Sequence, residues 1–566
     1  MITFVIFLFM GQLFSKIFLL FILLPQFLIA ENERVPKHEY RAVWLTVIEN
    51  LDWPSSQVKI PSDTLRQQRE LVQLLDSLQA IGVNTVLLQT RVRGNVIYPS
   101  DIEPFTGVLT GVEGKNPGYD ALAFAIDECH KRSMQLHAWV VTFPLGKAEY
   151  VKRMGAQSLP RKKRNLCTFY DGSWYMEPGE PATANYVCNL VAEITKKYNI
   201  DGLHLDYVRY PDRTAGYPDG KLYRRYGGNL SLADWRRANV TRIAKMVHDT
   251  VKAIKPWVRV SCAPLGKYHD LSVYSSKGWN ARETVYQEAQ DWLRDGIMDI
   301  LFPMLYFRGN NFYPFVLDWQ ENSHGRHIVP GVGVYRLLPE YGGWPATEFS
   351  RQLFTTRAAG AAGTALFRTR HIYENAASAA DIYSTVYRGK ALVPPLAWST
   401  APLPDAPSPV TVERVGDSLR IEWQRVAAAE HHPAVRYNVY AAFGDSVDVD
   451  DASNLLQINL ADTLFIWPCR TEKTVSVAVT AVDAYGRESV AARCSVPALY
   501  NRTTEILLPE PFSWGQRLRL YDLYGKLISE ERYSTRVGVR ALPHGHYCLV
   551  VVDRDGAVLH SEYFKK

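Results

Sequence analysis

The sequence predicts an α/β fold, a (β/α)8 barrel of the TIM type, followed by two small all-β domains. From residue 40 to about residue 387, apolar β-branched segments alternate with amphipathic segments of helical period, which is typical of a parallel sheet covered by helices. Eight such apolar segments occur, and eight repeats in a stretch of this length fit a barrel with enlarged loops. Beyond a proline-rich stretch the hydrophobic period becomes two, as in sandwich strands.

The predicted elements of the barrel follow this alternation. The strands are expected at residues 41–47, 85–90, 135–141, 202–208, 259–263, 300–306, 328–334 and 363–367. Helices are expected between them at residues 63–81, 119–132, 182–198, 232–254 and 282–295. The barrel therefore spans 37–393, and its active site is expected at the carboxyl ends of the strands.

Residues 1–30 predict a signal peptide. An apolar run from Ile17 to Leu24 follows Lys16, and the segment ends at Ala30 before the acidic Glu31. This order of a basic, an apolar and a small-residue region is typical of export signals. An uncleaved N-terminal membrane anchor is the alternative. Both interpretations place the protein outside the cytoplasm, at the cell surface, in the medium or on the periplasmic side of an outer membrane.

Composition excludes several functional classes. Hydrophobic residues make up 47% and charged residues 22% of the chain, which excludes wholesale disorder. A net charge of +6 does not predict a nucleic-acid partner. The seven cysteines include no CxxC pair, and no HExxH, phosphate-binding glycine loop or Gly-x-Ser-x-Gly motif occurs. We therefore expect no metal and no cofactor.

The C-terminal third is divided by prolines at residues 394–409, of which 394–406 are predicted to form a linker. Residues 407–497 resemble a fibronectin type III domain, with Trp423 on an early strand and a Tyr-x-x-Tyr strand from Tyr437 to Tyr440. Residues 500–566 resemble a type IX secretion sorting domain, with a Leu-Pro-x-Gly-x-Tyr turn from Leu542 to Tyr547. This second resemblance implies contact with secretion machinery; a plain immunoglobulin-like domain is the alternative.

The fourth predicted strand carries the most informative carboxylate. Residues 201–206 read Asp-Gly-Leu-His-Leu-Asp, so His204 and Asp206 share one face of the strand and Asp206 stands at its carboxyl end. Glycosidases generally use two carboxyl groups. We expect Asp206 to be one of them, and Glu49 and Glu177 are candidates for the second. Asp52, Asp212, Asp270, Glu340 and Glu374 stay open as further candidates, and an Arg209–Asp206 structural pair is the alternative role of Asp206.

Other polar and aromatic residues cluster at the predicted strand ends. A row of such residues at the end of nearly every apolar strand is typical of a binding cleft. The residues predicted to bind substrate are Asp52, Trp53, Arg91, Arg93, His137, Trp139, His204, Arg209, Tyr306 and Tyr335.

Seven motifs occur in order along the barrel and resemble the glycosyl hydrolase-like 10 family of bacterial barrels. They are Arg-Ala-Val-Trp-Leu-Thr at 41–46, Asp-Trp-Pro at 52–54, Gln-Thr-Arg at 89–91 with Tyr-Pro-Ser at 98–100, His-Ala-Trp at 137–139, Pro-Gly at 178–179, the strand-four motif with Tyr-Pro at 210–211, and Phe-Pro-Met-Leu-Tyr at 302–306. The resemblance implies cleavage of cell-wall glycans.

Two segments depart from the family pattern. Residues 140–144 replace its Asn-Pro-(Tyr/Phe)-Arg, and Tyr207 stands where a second acidic or amide residue is common. Val208 occupies the acid position of the chitinase signature, so a chitinase mechanism is excluded.

These observations predict a glycoside hydrolase that acts on a polysaccharide, with peptidoglycan glycan strands implied by the family. A non-catalytic glycan-binding protein of the cell wall or surface is the alternative. The six cations between Lys152 and Arg164 are expected to favour an acidic glycan.

Overall fold

A computed structural model describes residues 35–566 except 275–277, 375–382, 384, 416, 431, 470, 472, 497–504 and 509–514. The predicted signal peptide lies outside the described residues. The largest sheet is parallel, and its strands β1 to β8 are Tyr40–Leu45, Thr85–Arg91, Gln135–Val141, Gly202–Asp206, Arg259–Cys262, Ile300–Leu301, the two pieces His327–Ile328 and Gly331–Gly333 of β7, and Gly363–Phe367.

The strands are hydrogen-bonded in the order of a TIM-type barrel. Each strand pairs with the next from β1 to β6, and β1 also pairs with β8. The first piece of β7 pairs with β6 and the second with β8, so β7 closes the cylinder although Pro330 interrupts it. Proline also shortens β6 to Ile300–Leu301, because Pro303 lacks the N–H that a longer strand would need.

The helices surround this sheet. Those of the α type are Ser62–Ala80, Ala121–Lys131, Ala148–Met154, Leu159–Lys162, Pro181–Lys197, Gly220–Tyr226, Leu232–Ile254, Ala281–Thr284, Ala289–Arg294, Tyr313–Glu321, Ala346–Ala358 and Thr369–Glu374. Capping side chains explain several starts: the Asp120 carboxylate accepts from the backbone of Leu122 at 3.1 Å, and Ser231 accepts from that of Asp234 at 3.1 Å. The helix predicted at 282–295 is two short helices, because Tyr286 adopts a left-handed φ of 61° between them.

The connection after β3 is longer than a usual barrel loop. It contains a three-stranded antiparallel sheet of Pro144–Lys147, Ser173–Met176 and Cys167–Tyr170, in that spatial order. We call this sheet and the helices Ala148–Met154 and Leu159–Lys162 the β3 insertion. It stands at the carboxyl end of the barrel.

Two all-β units follow the barrel, as predicted. The first is a sandwich of a three-stranded sheet (Val410–Val415, Ser418–Trp423, Leu464–Pro468) on a four-stranded sheet (Leu455–Leu460, Arg436–Phe443, Val475–Val482, Ala492–Val496). The second has a four-stranded sheet of Leu527–Arg532, Arg517–Asp522, His546–Val552 and Val558–Lys565, and a pair of Glu505–Leu507 with Arg536–Gly538. Their identification as fibronectin type III-like and sorting domains stays a prediction.

The first β unit packs on the amino-terminal end of the barrel. Lys37 forms a largely buried ion pair with Glu488 at 2.6 Å, and Arg259 at the start of β5 donates to the backbone oxygen of Tyr485 at 3.4 Å. The predicted linker is therefore not a free spacer, since Trp398 within it donates to Asp299 at 3.1 Å.

No helix in the described ranges is long and apolar enough to cross a membrane.

Candidate active site

A cleft of about 660 Å³ opens at the carboxyl ends of the barrel strands. It lies where a TIM barrel is expected to carry its chemistry. Residues from β1, β2, β3, β4, β6 and β8 or the loops after them line it, together with the β3 insertion. Of the predicted site residues, those that line it are Glu49, Arg93, Trp139, Asp206, Arg209 and Tyr306.

Asp206 is the last residue of β4 and lies in the floor of the cleft, 5% exposed. Its Oδ2 accepts a hydrogen bond from the indole N–H of Trp139 at 3.1 Å, and its Oδ1 accepts from the backbone N–H of Tyr207 at 2.7 Å. Tyr207 adopts a left-handed φ of 51°. This conformation turns the chain directly after the strand and brings the Tyr207 N–H to the Asp206 carboxylate. Together with the Trp139 indole, it holds the carboxylate at the floor of the cleft.

Burial raises the pKa of Asp206 from 3.8 to about 6. The Arg209 charge and the two hydrogen bonds lower it, but they do not cancel the desolvation of the carboxylate. Asp206 is a carboxyl that changes charge close to neutral pH.

His204 does not touch Asp206. It is completely buried in the barrel centre, where its Nε2 accepts from the Trp44 indole at 3.3 Å and its Nδ1 lies 3.0 Å from the Ser261 hydroxyl. Because Nε2 accepts, Nδ1 carries the proton and donates to Ser261. Burial holds the pKa of His204 well below its usual range, so the ring is neutral and acts as part of the core.

Arg209 forms an ion pair with Asp212 rather than with Asp206. Its guanidinium also lies over the Tyr207 ring, 4.5 Å from the ring centre. Among the described residues, no hydrogen bond or ion pair joins Arg209 to Asp206, so the alternative role of Asp206 as a structural partner of Arg209 is not supported. Arg209, Tyr207 and Asp212 together form one wall of the cleft.

Glu49 also lines the cleft and stands in the turn after β1. Both Glu49 and Asn50 have left-handed φ values of 55°, a conformation that is costly for residues with a side chain and is common at functional sites. The Gln89 side chain holds this turn by accepting from the backbone of Val47 at 3.0 Å. The exposed Glu49 carboxylate lies 3.2 Å from Arg93.

Glu177 does not line the cleft. It is 2% exposed, and its oxygens accept from Thr168 at 2.7 Å, from Tyr217 at 3.0 Å and from the backbone of Gly179 at 3.0 Å. Burial raises its pKa. These contacts join the β3 insertion to the loop after β4, so Glu177 supports the cleft wall from behind.

Besides His204, four further residues predicted to bind substrate belong to the framework. Trp53 is buried and donates to the backbone oxygen of Gln67 at 2.9 Å. Arg91 forms a fully buried ion pair with Glu103 at 2.7 Å. His137 lies near the amino-terminal end of β3, away from the cleft, and burial lowers its pKa to about 3. Asp52 also lies outside the cleft lining.

The aromatic lining extends beyond the predicted residues. Tyr306 stacks on Phe367 with ring centres 5.0 Å apart, and Tyr335 packs behind Tyr306 at 6.0 Å without lining the cleft. Such rings offer faces to the C–H groups of sugars. Further rings come from residues that sequence reasoning missed, which are Tyr150, Trp174 and Tyr175 of the β3 insertion. The Trp-Tyr pair in an unusually long loop after strand three is the signal that could have identified them.

The basic segment predicted to face the substrate mostly points elsewhere. Of its six cations only Arg153 lines the cleft. Arg164 lies over the Trp174 ring at 4.8 Å, and Arg161, Lys162 and Lys163 are exposed away from the cleft. Lys147 and Glu149, which precede the segment, line the cleft as well. In the described part of the chain, no three acidic, histidine or cysteine side chains lie close enough to hold a metal ion.

The chain is similar to several known proteins. Residues 39–340 match the Glycosyl hydrolase-like 10 family. Glycosyl hydrolase YngK of Bacillus subtilis (strain 168) is 31% identical over 406 residues, which are 68% of this chain and 79% of that protein. Glycosyl hydrolase DigH of Escherichia coli (strain K12) is 31% identical over 367 residues, 59% of this chain and 83% of that protein. The glycoside hydrolase domain of PgaB (BpsB) from Bordetella bronchiseptica superposes with a TM-score of 0.41 at 14% identity, over 61% of this chain and 98% of that chain.

Proposed function

The chain belongs to the glycosyl hydrolase-like 10 family and is a glycoside hydrolase, and from this premise we propose that it cleaves the glycan strands of bacterial peptidoglycan outside the cytoplasm. The proposal of hydrolysis rests on the position of Asp206, a buried carboxyl in the floor of an aromatic cleft at the carboxyl end of β4. The substrate is supported by the cell-wall association of the family that the motifs resemble.

Asp206 acts as the nucleophile or as the charge that stabilises the oxocarbenium-like transition state. With a pKa of about 6 it is mostly ionised at neutral pH, as either role requires. Trp139 and the Tyr207 backbone fix its two oxygens, which limits the orientations it can adopt.

The second carboxyl is assigned to Glu49. Among the described residues, the acidic side chains that line the cleft are Glu49, Glu149, Asp206 and Asp212. Asp212 pairs with Arg209 and Glu49 with Arg93, and both Glu49 and Glu149 are exposed. We assign the role to Glu49 because, of these three, it is the one on a left-handed turn at the end of a barrel strand, a turn that Gln89 holds. Glu49 lines the same cleft as Asp206 and follows the carboxyl end of β1. Glu177 does not take this role, because it is buried and its oxygens accept hydrogen bonds from Thr168, Tyr217 and Gly179.

Hydrolysis is tested by incubating the purified chain with peptide-free and with intact glycan strands and measuring new reducing ends. We expect new ends from the wild type. Asp206→Asn should reduce the rate at least about a thousandfold, or about 4 kcal/mol of transition-state stabilisation. If both proteins bind glycan and neither produces reducing ends, the chain is a glycan-binding protein, which is the second candidate function.

A further inference from the structure

Arg368 lies across the barrel mouth from Asp206. It follows β8 directly and lines the same cleft. In the strand order, β8 and β4 are four strands apart in either direction, so their carboxyl ends face each other across the cleft. A sugar held above Asp206 therefore has the Arg368 side chain on its far side.

The Arg368 guanidinium is held in place by Asp52. Its Nη1 donates to Asp52 Oδ1 at 2.7 Å, and the Asp52 side chain is fully enclosed. Asp52 is itself fixed, since its Oδ2 accepts from the backbone and the hydroxyl of Thr46 at 2.8 and 2.6 Å, and its Oδ1 accepts from the Arg370 backbone at 2.9 Å. This arrangement gives the Asp-Trp-Pro segment a role: it orients an arginine rather than the substrate.

Part of the guanidinium remains available. Among the described residues, Asp52 is the only group to which the Arg368 side chain donates a hydrogen bond. A guanidinium has five N–H donors, and one of them is used. The others belong to a side chain that is 11% exposed and lines the cleft. A pre-oriented arginine of this kind binds ligand oxygens with little further loss of side-chain freedom.

The net charge of the Arg368–Asp52 pair indicates which kind of ligand oxygen it binds. The enclosed Asp52 carboxylate compensates the Arg368 charge, so the pair presents N–H donors with little net charge. Such donors suit the hydroxyl oxygens of a neutral sugar, whereas a carboxylate would favour an uncompensated cation. We propose that Arg368 is a substrate-binding residue that donates to hydroxyl oxygens of the sugar above Asp206, and that Asp52 positions it. This inference rests on the proposed glycosidase function.

The test measures binding rather than turnover. The probe is a neutral oligomer of N-acetylglucosamine, and its Kd is measured by calorimetry in the Asp206→Asn background, so no hydrolysis is needed. Arg368→Gln should raise the Kd about tenfold or more, the loss expected when a buried ligand oxygen loses a charged donor. Arg294→Gln is the matched control, because Arg294 pairs with Asp295 at 2.9 Å outside the cleft and should bind as the parent does.

Arg368→Lys separates binding from folding. Lysine keeps the charge beside Asp52 but loses the planar fork, so we expect an unchanged melting temperature and a Kd raised several-fold. The effect should be equal at low and at physiological salt, since the oxygens are neutral. The proposal is overturned if Arg368→Lys and Arg368→Gln bind the oligomer as tightly as the parent. If the wild type binds it through Arg368 yet yields no reducing ends, the proposed hydrolysis fails and this inference stands.

Discussion

At the scale of single residues, the buried charge of Asp206 has a cost for the folded protein. Its pKa is about 6 in the folded chain against an ordinary value of 3.8. The folded state therefore binds the proton more tightly than the unfolded state. The contribution of this group to stability is fully present below about pH 4 and is lost as the pH rises to about 6. Above pH 6 the ionised carboxylate costs up to about 3 kcal/mol.

Replacing Asp206 by Asn should therefore leave the protein at least as stable at pH 7.5. The neutral amide removes the charge, although its single acceptor oxygen serves only one of the two donors, Trp139 and the Tyr207 backbone. We expect a higher free energy of unfolding for the variant at pH 7.5 and a difference near zero at pH 4, measured by urea unfolding. A sharp loss of stability at pH 7.5 would instead make Asp206 a structural residue.

The same pKa fixes the pH dependence of the rate. If the ionised form is active, kcat/KM should fall about tenfold per pH unit below pH 6, because the proportion of ionised Asp206 falls with it. Initial rates on peptide-free glycan between pH 4 and pH 8 give this profile (the range is about two units on either side of the pKa). A rate that rises as the pH drops through 6 would show that Asp206 works as the acid and would reverse its role with Glu49.

At the scale of elements, the β3 insertion decides which charges the substrate meets. Lys147 and Arg153 line the cleft, and neither forms an ion pair with a carboxylate within the described residues. Glu149 lies between them in sequence and also lines the cleft. Arg161 and Lys162 belong to the same insertion and Lys163 follows it directly, but none of these three cations lines the cleft.

Changing Lys147 and Arg153 to Ser should raise the KM for a glycan that carries free lactyl carboxylates by about threefold at low salt, because two exposed cations are lost. The KM for a carboxyl-reduced glycan should change little, and physiological salt should weaken the effect. Changing Arg161 and Lys162 to Ser is the matched control and should leave both values unchanged.

Glu149→Gln tests the sign of this effect. Removal of a negative charge from the same wall should lower the KM for the acidic glycan. Equal changes on the acidic and the reduced glycan would show that the wall binds through shape and not through charge.

The β3 insertion also positions the loop after β4. Tyr170 donates to the backbone oxygen of Ala215 at 2.6 Å, and Tyr217 donates to Glu177 at 3.0 Å. A buried ion pair of Arg236 with Asp219 at 2.8 Å fixes the end of this loop. The wall that carries Tyr207 and Arg209 is thus held by residues distant in sequence.

At the scale of the whole molecule, the two ends of the barrel have separate tasks. The carboxyl end carries the cleft, and the amino-terminal end carries the first β unit through Lys37–Glu488 and Arg259. The second β unit has its own core, which includes Leu520, Leu549 and Val551. Of the described residues in the two β units, none lines the cleft.

Deleting residues 500–566 should therefore leave a folded and active enzyme. Because this region resembles a sorting domain, we expect the truncated protein to stay inside the outer membrane of a host that has type IX secretion. Cell fractionation with reducing-end assays on each fraction measures both effects. Normal delivery of the truncated protein to the surface would contradict the sorting prediction, whereas loss of activity would show an unexpected role in folding.

The sequence by itself determined the order of the barrel, the change to β structure and the place of Asp206. These depend on short-range patterns: apolar strands, helical periods, prolines and the strand-four motif. The family was likewise determined by motifs in order along the chain. The hydrophobic pattern predicts strands at 300–306 and 328–334 that are longer than the observed ones. Pro303 ends the first and Pro330 interrupts the second, because proline has no N–H to donate.

Only the tertiary structure decided which residues at the strand ends reach the cleft. Asp52 and Arg368 are 316 residues apart and form one pair, so neither could be interpreted alone. Glu49 reaches the rim through a left-handed backbone that its sequence does not indicate. The pKa of Asp206 depends on how completely its neighbours exclude water. Contacts between distant residues, backbone conformation in loops and desolvation are properties of the assembled fold, and a one-dimensional pattern does not contain them.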